Sequence, residues 1–370
     1  MGKTSSFFGR HWKVVLNVVT FAALVVLVVA SWDQIVQTFD NLFKVHAWWL
    51  LAIIPIEFLN YDAQARLYQG LFKITGNKLG YKQLFKASLE LNFVNHVFPS
   101  GGVTGISYFG LRMRGAQLTG TKATLVQIMK LALLFLSFEV LIVIGLLFLA
   151  VDGHINNAII LLAGILTTLL LVGTVGFMFI VGSKQRIASF FTWGTVQLNR
   201  VIRLVRPGRA DTIHVERARE IVDDLHANYM LVRQDWRQLK RPFVWAFAAN
   251  FWEVMAVYVV YVAFGDLVNF GAVILAYAVA NFAGLISIAP GGVGIYEGLM
   301  TLVLATAGIP ANLSLPVTVM YRILNTVVQL PPGYWLYHKA LHGKKPDELT
   351  AGSQEPGGGA GPGGDGMSGG

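Results

Sequence analysis

A proline–glycine break interrupts the apolar sequence of this chain twice, with similar residues around it each time. The first copy reads Pro99-Ser100-Gly101-Gly102-Val103-Thr104-Gly105-Ile106-Ser107-Tyr108-Phe109-Gly110. The second reads Pro290-Gly291-Gly292-Val293-Gly294-Ile295-Tyr296-Glu297-Gly298. With three single-residue gaps both fit P-x-G-V-G-I-Y-x-G, and Gly102 and Gly292 lie 190 residues apart. Lipid cannot hydrogen-bond a freed backbone group. Irregular chain at membrane depth therefore survives only where it is buried in protein or lines a wet cavity. Paired breaks in corresponding halves of a membrane chain point to a central site formed by discontinuous helices.

The rest of the sequence supplies the membrane. Only 13% of the 370 residues are charged and 55% are hydrophobic, against about 25% charged in soluble domains. The runs 14–30 and 157–182 carry no charge, and 131–151 carries only Glu139; a spanning helix needs about 20 such residues. The first run continues into Ser31-Trp32-Asp33 without a convincing cleavage site, so it reads as a span rather than a signal peptide. We expect an all-α polytopic protein. Six full spans fall near 14–31, 47–68, 123–150, 157–182, 242–264 and 315–338, and re-entrant hairpins at 84–116 and 270–308. Under this topology 25 of the 29 Lys and Arg residues fall on one side, which the positive-inside rule makes cytoplasmic. Both termini then lie in the cytoplasm of a bacterial inner (plasma) membrane. The two hairpins enter from opposite faces, as in an inverted repeat. The net charge of +9 is spent on topology, and no nucleic-acid motif accompanies it.

The membrane domain spans 1–342. Its one polar insert, 183–241, has helical spacing from Asp211 to Lys240 and suits the membrane surface. The tail 343–370, rich in Gly and Pro, cannot bury a core and is expected to be disordered. Cysteine is absent, no Walker A sequence or hydrolase motif is present, and His residues are scattered singly. No catalytic residue, metal site or cofactor is expected.

Charges inside spans are costly and usually face a cavity or each other. Asp62 lies one turn from Arg66 and is its expected partner. Glu139 and Glu253 read as structural, with a buried partner or a protonated carboxyl, and Glu57 and Glu90 receive no role. Lys130, Glu297 and Arg322 follow the breaks, with Lys130 fifteen residues after Gly115 and Arg322 fourteen after Gly308. A cation at mid-depth beside an unwound helix end suits a phosphate. The backbone N–H groups of the restarted helices at Gly105, Ile106, Gly294 and Ile295 share that task. Glu297 pairs with Arg322, neutralises a cationic headgroup or relays a proton. A purely structural Glu297–Arg322 bridge, with the glycines serving close packing, is the alternative. The candidate substrate-binding set is Lys130, Arg322, Glu297, Gly101, Gly102, Gly105, Gly291, Gly292, Gly294, Tyr108, Tyr296 and Asn95. Asn92, Asn95, His96 and Asn281 are polar residues on half-helices, each of a kind that is more often a helix-to-helix hydrogen bond than a ligand.

The order of spans, the Asn-x-x-x-Pro-Ser-Gly-Gly break from Asn95 to Gly102 and the P-G-G-x-G-x-x-E segment from Pro290 to Glu297 resemble the lysylphosphatidylglycerol synthase transmembrane family. These are the flippase-like membrane domains seen in the multiple peptide resistance factor, and the likeness covers about 10–341. In two-domain members a cytosolic synthase domain follows. This chain lacks it and resembles the standalone members. Thr104 departs from the family pattern, and Ser107-Tyr108 stands where many members carry an acidic residue, which is consistent with an anion-only or weakly coupled first half. The resemblance implies a flippase-like transporter of an anionic or zwitterionic phospholipid, either an aminoacyl-phosphatidylglycerol or a polyprenyl-phosphate-linked sugar. The alternative is a non-transporting scaffold that holds a separate lipid synthase or glycosyltransferase through 183–241.

Overall fold

The computed structural model describes residues 45–97, 103–114, 118, 120–153, 156–183, 236–286 and 294–342, with a few isolated positions besides. The expected first span at 14–31, the tail 343–370, most of the insert 183–241 and the glycines Gly101, Gly102, Gly291 and Gly292 lie outside these residues. Every regular element among the described residues is helical.

The helices fall into two units of the same plan. In the first, α1 (Ile53–Ile74) is followed by α2 (Tyr81–Val97), α3 (Val103–Arg114) and α4 (Gly120–Val151). Next comes α5 (Asn157–Val181), which stands between the units. In the second, α6 (Lys240–Phe264) is followed by α7 (Phe270–Ile286), α8 (Ile295–Thr306) and α9 (Ala311–His342). The helices flanking each break have 17 and 12 residues in both units, and the helix that closes each unit has 32. Seventeen residues rise about 26 Å and twelve about 18 Å, short of the ~30 Å hydrocarbon core. The flanking helices are therefore half-helices, as the breaks implied.

The first long helices of the two units, α1 and α6, run antiparallel. From one end to the other, the His46 N–H donates to Ala263 O (2.8 Å), Asn60 Nδ2 to Ala249 O (2.9 Å), Arg66 lies 4.9 Å from the Trp245 ring centroid, and Gly70 abuts Pro242. As the α1 number rises the α6 number falls. Helices that cross a membrane and are related this way have their two-fold axis in the membrane plane, which is the inverted repeat. The exchange is reciprocal elsewhere too: α2 packs on α9 and α7 on α4. Each contact has a glycine where backbones meet. A Cβ on Gly333 would lie 2.8 Å from Leu89 O, and one on Gly271 would collide with Gly145 O. Without a hydrophobic drive between helices in lipid, such close approach supplies much of the packing.

Helices α4, α5, α6 and α9 are each long and apolar enough to cross a membrane. Leu147, Val143, Leu161, Val172 and Phe179 are exposed on α4 and α5, the apolar outer surface expected of helices in lipid. The expected span 47–68 is corrected. A single turn, Ala47–Leu50, leads into a helix that starts at Ile53 and runs to Ile74. At 22 residues it is long enough to span, but Glu57, Asp62 and Arg66 keep it off the apolar set. It sits in the middle of the protein, and its polar groups find partners there. Asp62 and Arg66 form the expected pair at 2.8 Å, and Tyr81 donates to the same carboxylate.

Candidate functional site

The second break re-enters the helix at Gly294, whose φ of +88° only glycine adopts without strain. Glu297 reaches back one turn, and its Oε2 accepts the Gly294 N–H at 2.7 Å. Its Oε1 accepts a hydrogen bond from Arg322 on α9. The Arg322 guanidinium lies 4.9 Å from the centre of the Tyr296 ring. Glu297 is 3% exposed. The Glu297–Arg322 bridge is thus formed, and the expectation that the Gly294 N–H stands open to a phosphate is corrected, because Glu297 occupies it. An acidic residue in the first turn is stabilised by the helix dipole as well as by the bond.

The first break is built differently. Asn95, exposed near the end of α2, lies against Gly105, so that a Cβ there would overlap its amide. Tyr108 donates to Glu90 at 2.8 Å, and Arg112 to the same carboxylate at 2.7 Å. The first half therefore carries an acid of its own. Its acid comes from α2 before the break instead of α3 after it. The sequence noted Glu90 among intramembrane charges but counted Arg112 with the topology. The signal that would have joined them is one acid and one base either side of a break too short to separate them.

Lys130 is the eleventh residue of α4 and Arg322 the twelfth of α9, so the two cations do occupy matching places. Their surroundings differ. Lys130 is buried, donates to Gln64 Oε1 (2.9 Å) and Tyr68 Oη (3.2 Å), and lies 4.6 Å from the Tyr68 ring centroid. Tyr68 in turn donates to Gln127. No carboxylate is among the described partners of Lys130.

A cavity of about 190 Å³ opens where α1, α4, α6 and α7 meet. Its polar wall is Asn60, Gln64, Asn250, Glu253, Tyr277 and Asn281. Neither Lys130 nor Arg322 lines it, but Gln64 belongs both to the wall and to the Lys130 site. Gln64 also donates to Asn60, and Asn250 donates to Leu134 O at 3.0 Å. Sequence reasoning passed over Asn60 and Asn250. They lie 190 residues apart, the spacing of the breaks, and that offset marks them as equivalents. A second cavity, about 720 Å³, lies where Gly70 meets Pro242. Arg66, Lys73, Lys78, Arg237 and Arg241 line it without an acidic residue.

Two comparisons bear on identity. The chain is 22% identical over 320 residues to a UPF0104 membrane protein of Methanothermobacter thermautotrophicus, covering 84% of this chain and 90% of that relative. A further match, also to a UPF0104 membrane protein of that organism, is 34% identical over 73 residues, 20% of this chain and 22% of the relative. The family profile described as the lysylphosphatidylglycerol synthase TM region matches residues 14–333, which include both breaks, both cations and the cavity between the units. This multi-pass membrane protein belongs to the lysylphosphatidylglycerol synthase transmembrane-region family.

Proposed function

We propose that the protein is a flippase-like transporter of an anionic or zwitterionic lipid in the plasma membrane, with both termini cytoplasmic. One observation carries the reading. Lys130 is a buried cation whose described partners are all neutral, beside a polar cavity between two antiparallel units that each contain a broken helix. A phosphate supplies the counter-charge that Lys130 lacks. Charge-assisted hydrogen bonds are the strong ones, and a lysine acts on phosphate as a point charge from a flexible stem. The basic cavity supports the same reading. Four of its five cations, Lys73, Lys78, Arg237 and Arg241, come from the segments that the charge count places in the cytoplasm, where an anionic headgroup would load. Glu297 already holds Arg322, so Arg322 serves the headgroup only by sharing its guanidinium. Lys130 is the principal phosphate ligand.

The test is reconstitution into liposomes with labelled aminoacyl-phosphatidylglycerol and labelled polyprenyl-phosphate sugar, following exposure of each label on the opposite leaflet. One of them should cross faster than in protein-free vesicles. A hydrogen bond to a charged group is worth about 1.5–3 kcal/mol, so Lys130→Gln should slow crossing about ten- to a hundredfold, and Lys130→Arg less. Equal rates with and without protein would remove the transport reading. A folded protein that moves neither lipid would fit the scaffold instead, with residues 183–241 holding a lipid synthase or glycosyltransferase.

A further inference from the structure

Two carboxylates face the boundary between the units, and among the described residues no cation is paired with either. Glu57 lies on α1 and Glu253 on α6, and they act on each other electrostatically. Glu57 is 1% exposed. Glu253 opens on the central cavity. A chain of hydrogen bonds along α9 joins them. Gln329 Nε2 donates to Glu57 Oε2 (2.7 Å) and to Asn325 Oδ1 (2.7 Å). Asn325 Nδ2 donates to Tyr321 Oη (3.2 Å), and Tyr321 Oη donates to Glu253 Oε2 (3.0 Å). From α2, Asn92 donates to Tyr61 Oη (2.5 Å) and to Gln329 Oε1.

Every described hydrogen-bond partner of the pair is neutral. The titratable groups acting with it are the tyrosines Tyr61 on α1, Tyr277 on α7, Tyr296 on α8 and Tyr321 on α9. From α2 come the amide of Asn92 and, one turn on, His96, whose Nδ1 lies 3.0 Å from Asn92 O and which acts on Arg322. The acid of α4, Glu139, does not act on the pair. Three cations nearby are paired with other acids, Arg322 with Glu297, Arg112 with Glu90 and Arg66 with Asp62, and the described bonds of Lys130 go to Gln64 and Tyr68, not to either carboxylate. One carboxylate oxygen, Glu57 Oε1, is buried without any partner. Two like charges in a medium of low dielectric cannot both persist without a counter-ion. A proton on one of them removes the repulsion, and the unpartnered oxygen is a place to hold it.

We propose that Glu57 and Glu253 form a proton-binding site between the two units, and that its loading and release is coupled to lipid movement; the coupling rests on the flippase reading above. The proton arrives from water in the cavity beside Glu253 and leaves to water on the opposite side. Only an O–H bond forms and breaks. Helix α9 provides the mechanical link. It carries Gln329, Asn325 and Tyr321 of the network, and Arg322, the next residue, is bonded to Glu297 at the second break. A change in the charge of the pair changes how strongly α9 is held against α1 and α6, and Arg322 moves with it.

The experiment uses the whole protein in liposomes with a labelled anionic lipid and an imposed pH gradient. One proton per lipid predicts a steady leaflet ratio shifted up to about tenfold per pH unit, with entrapped pyranine reporting the accompanying acid movement. Glu57→Gln and Glu253→Gln remove the titration. In these variants lipid should still equilibrate, but the ratio should stay at unity whatever the gradient. A wild-type ratio that ignores the pH gradient, or that follows a sodium gradient at equal pH, overturns the proposal and leaves the flippase reading standing. Infrared difference spectra of the solubilised protein give a readout that needs no transport. The C=O stretch of a buried protonated carboxyl should appear, shift in D2O and be lost in at least one variant. Its absence overturns the proton site. Its presence in a protein that moves no lipid upholds the site and overturns both the coupling and the flippase reading.

Discussion

Arg322→Gln isolates the charge that holds the second break. In the variant Glu297 keeps the Gly294 N–H at 2.7 Å but loses its guanidinium. Breaking a buried ion pair from one side costs about 3–5 kcal/mol. The lower end applies, because the Arg322 side chain is 17% exposed and water can enter, and because one carboxylate oxygen stays bonded. About 3 kcal/mol corresponds to a fall of about 6–12 °C in Tm at the ~2–4 °C per kcal/mol of domains of 150–250 residues. Adding Glu297→Gln removes the stranded charge, so the double variant should regain most of that loss. It should stay below wild type by the dipole contribution of a first-turn acid, about 0.3–1 kcal/mol. The assay is thermal unfolding in detergent for the two single variants and the double. An Arg322→Gln protein that melts with wild type, or a double variant less stable than the single, would refute the reasoning. Translocation by the same proteins separates structure from binding. If Arg322 also shares its guanidinium with the headgroup, the double variant folds but moves lipid slowly, and Arg322→Lys keeps part of the rate because charge survives without the planar fork. A stable double variant at the parental rate would remove Arg322 from the binding set.

Other outcomes follow from the packing and the topology. Gly333→Ala places a Cβ 2.7 Å from Phe93 Cβ and 2.8 Å from Leu89 O; neither can swing away, so the α2–α9 contact should lose about 1–3 kcal/mol, read as a lower Tm. Gly105→Ala meets only the exposed side chain of Asn95, so it should lower Tm less than Gly333→Ala does, and Asn95→Ala should relieve it; a larger loss than at Gly333 would mean that Asn95 is pinned. The chain has no cysteine, so single Cys substitutions report sidedness without background. Labelling should come from the cytoplasm at Ser189, Lys240 and Ser353, and from outside at Asp40, Asn156 and Asn312, and cytoplasmic labelling alone at Asn312 would overturn the second hairpin.

The plan of the fold was legible because it is written in local features. Helix lengths follow from where apolar runs meet Gly and Pro, and the 190-residue offset relates one unit to the other. The antiparallel packing of α1 on α6 realises the inversion that the basic residues imply. The partners inside the site were not legible, because they join residues far apart in the chain. Gln329 reaches Glu57 across 272 positions and Asn92 across 237, and no spacing rule encodes such pairs. The matching of Lys130 with Arg322 held in position and failed in environment for the same reason: Gln64 and Tyr68 come to Lys130 from α1, whereas Glu297 comes to Arg322 from α8.

The repeat conserves the scaffold and varies the charge placement, and this difference has a mechanical consequence. In the second unit the acid sits on the restarted helix, where Glu297 caps its own N-terminus. Separating α7 from α8 leaves that cap intact and the carboxylate satisfied. In the first unit the acid sits on the other side of the break. Glu90 on α2 holds Tyr108 and Arg112 on α3, so separating the half-helices strands a carboxylate that is 1% exposed. Leaving a buried charge unpaired is expensive. The first hairpin is therefore held closed by its ion pair, and an anionic headgroup that competes for Arg112 would lower the cost of opening it. Among the described residues no ion pair joins α7 to α8. On the flippase reading, an anionic headgroup would therefore favour opening of the first half over the second.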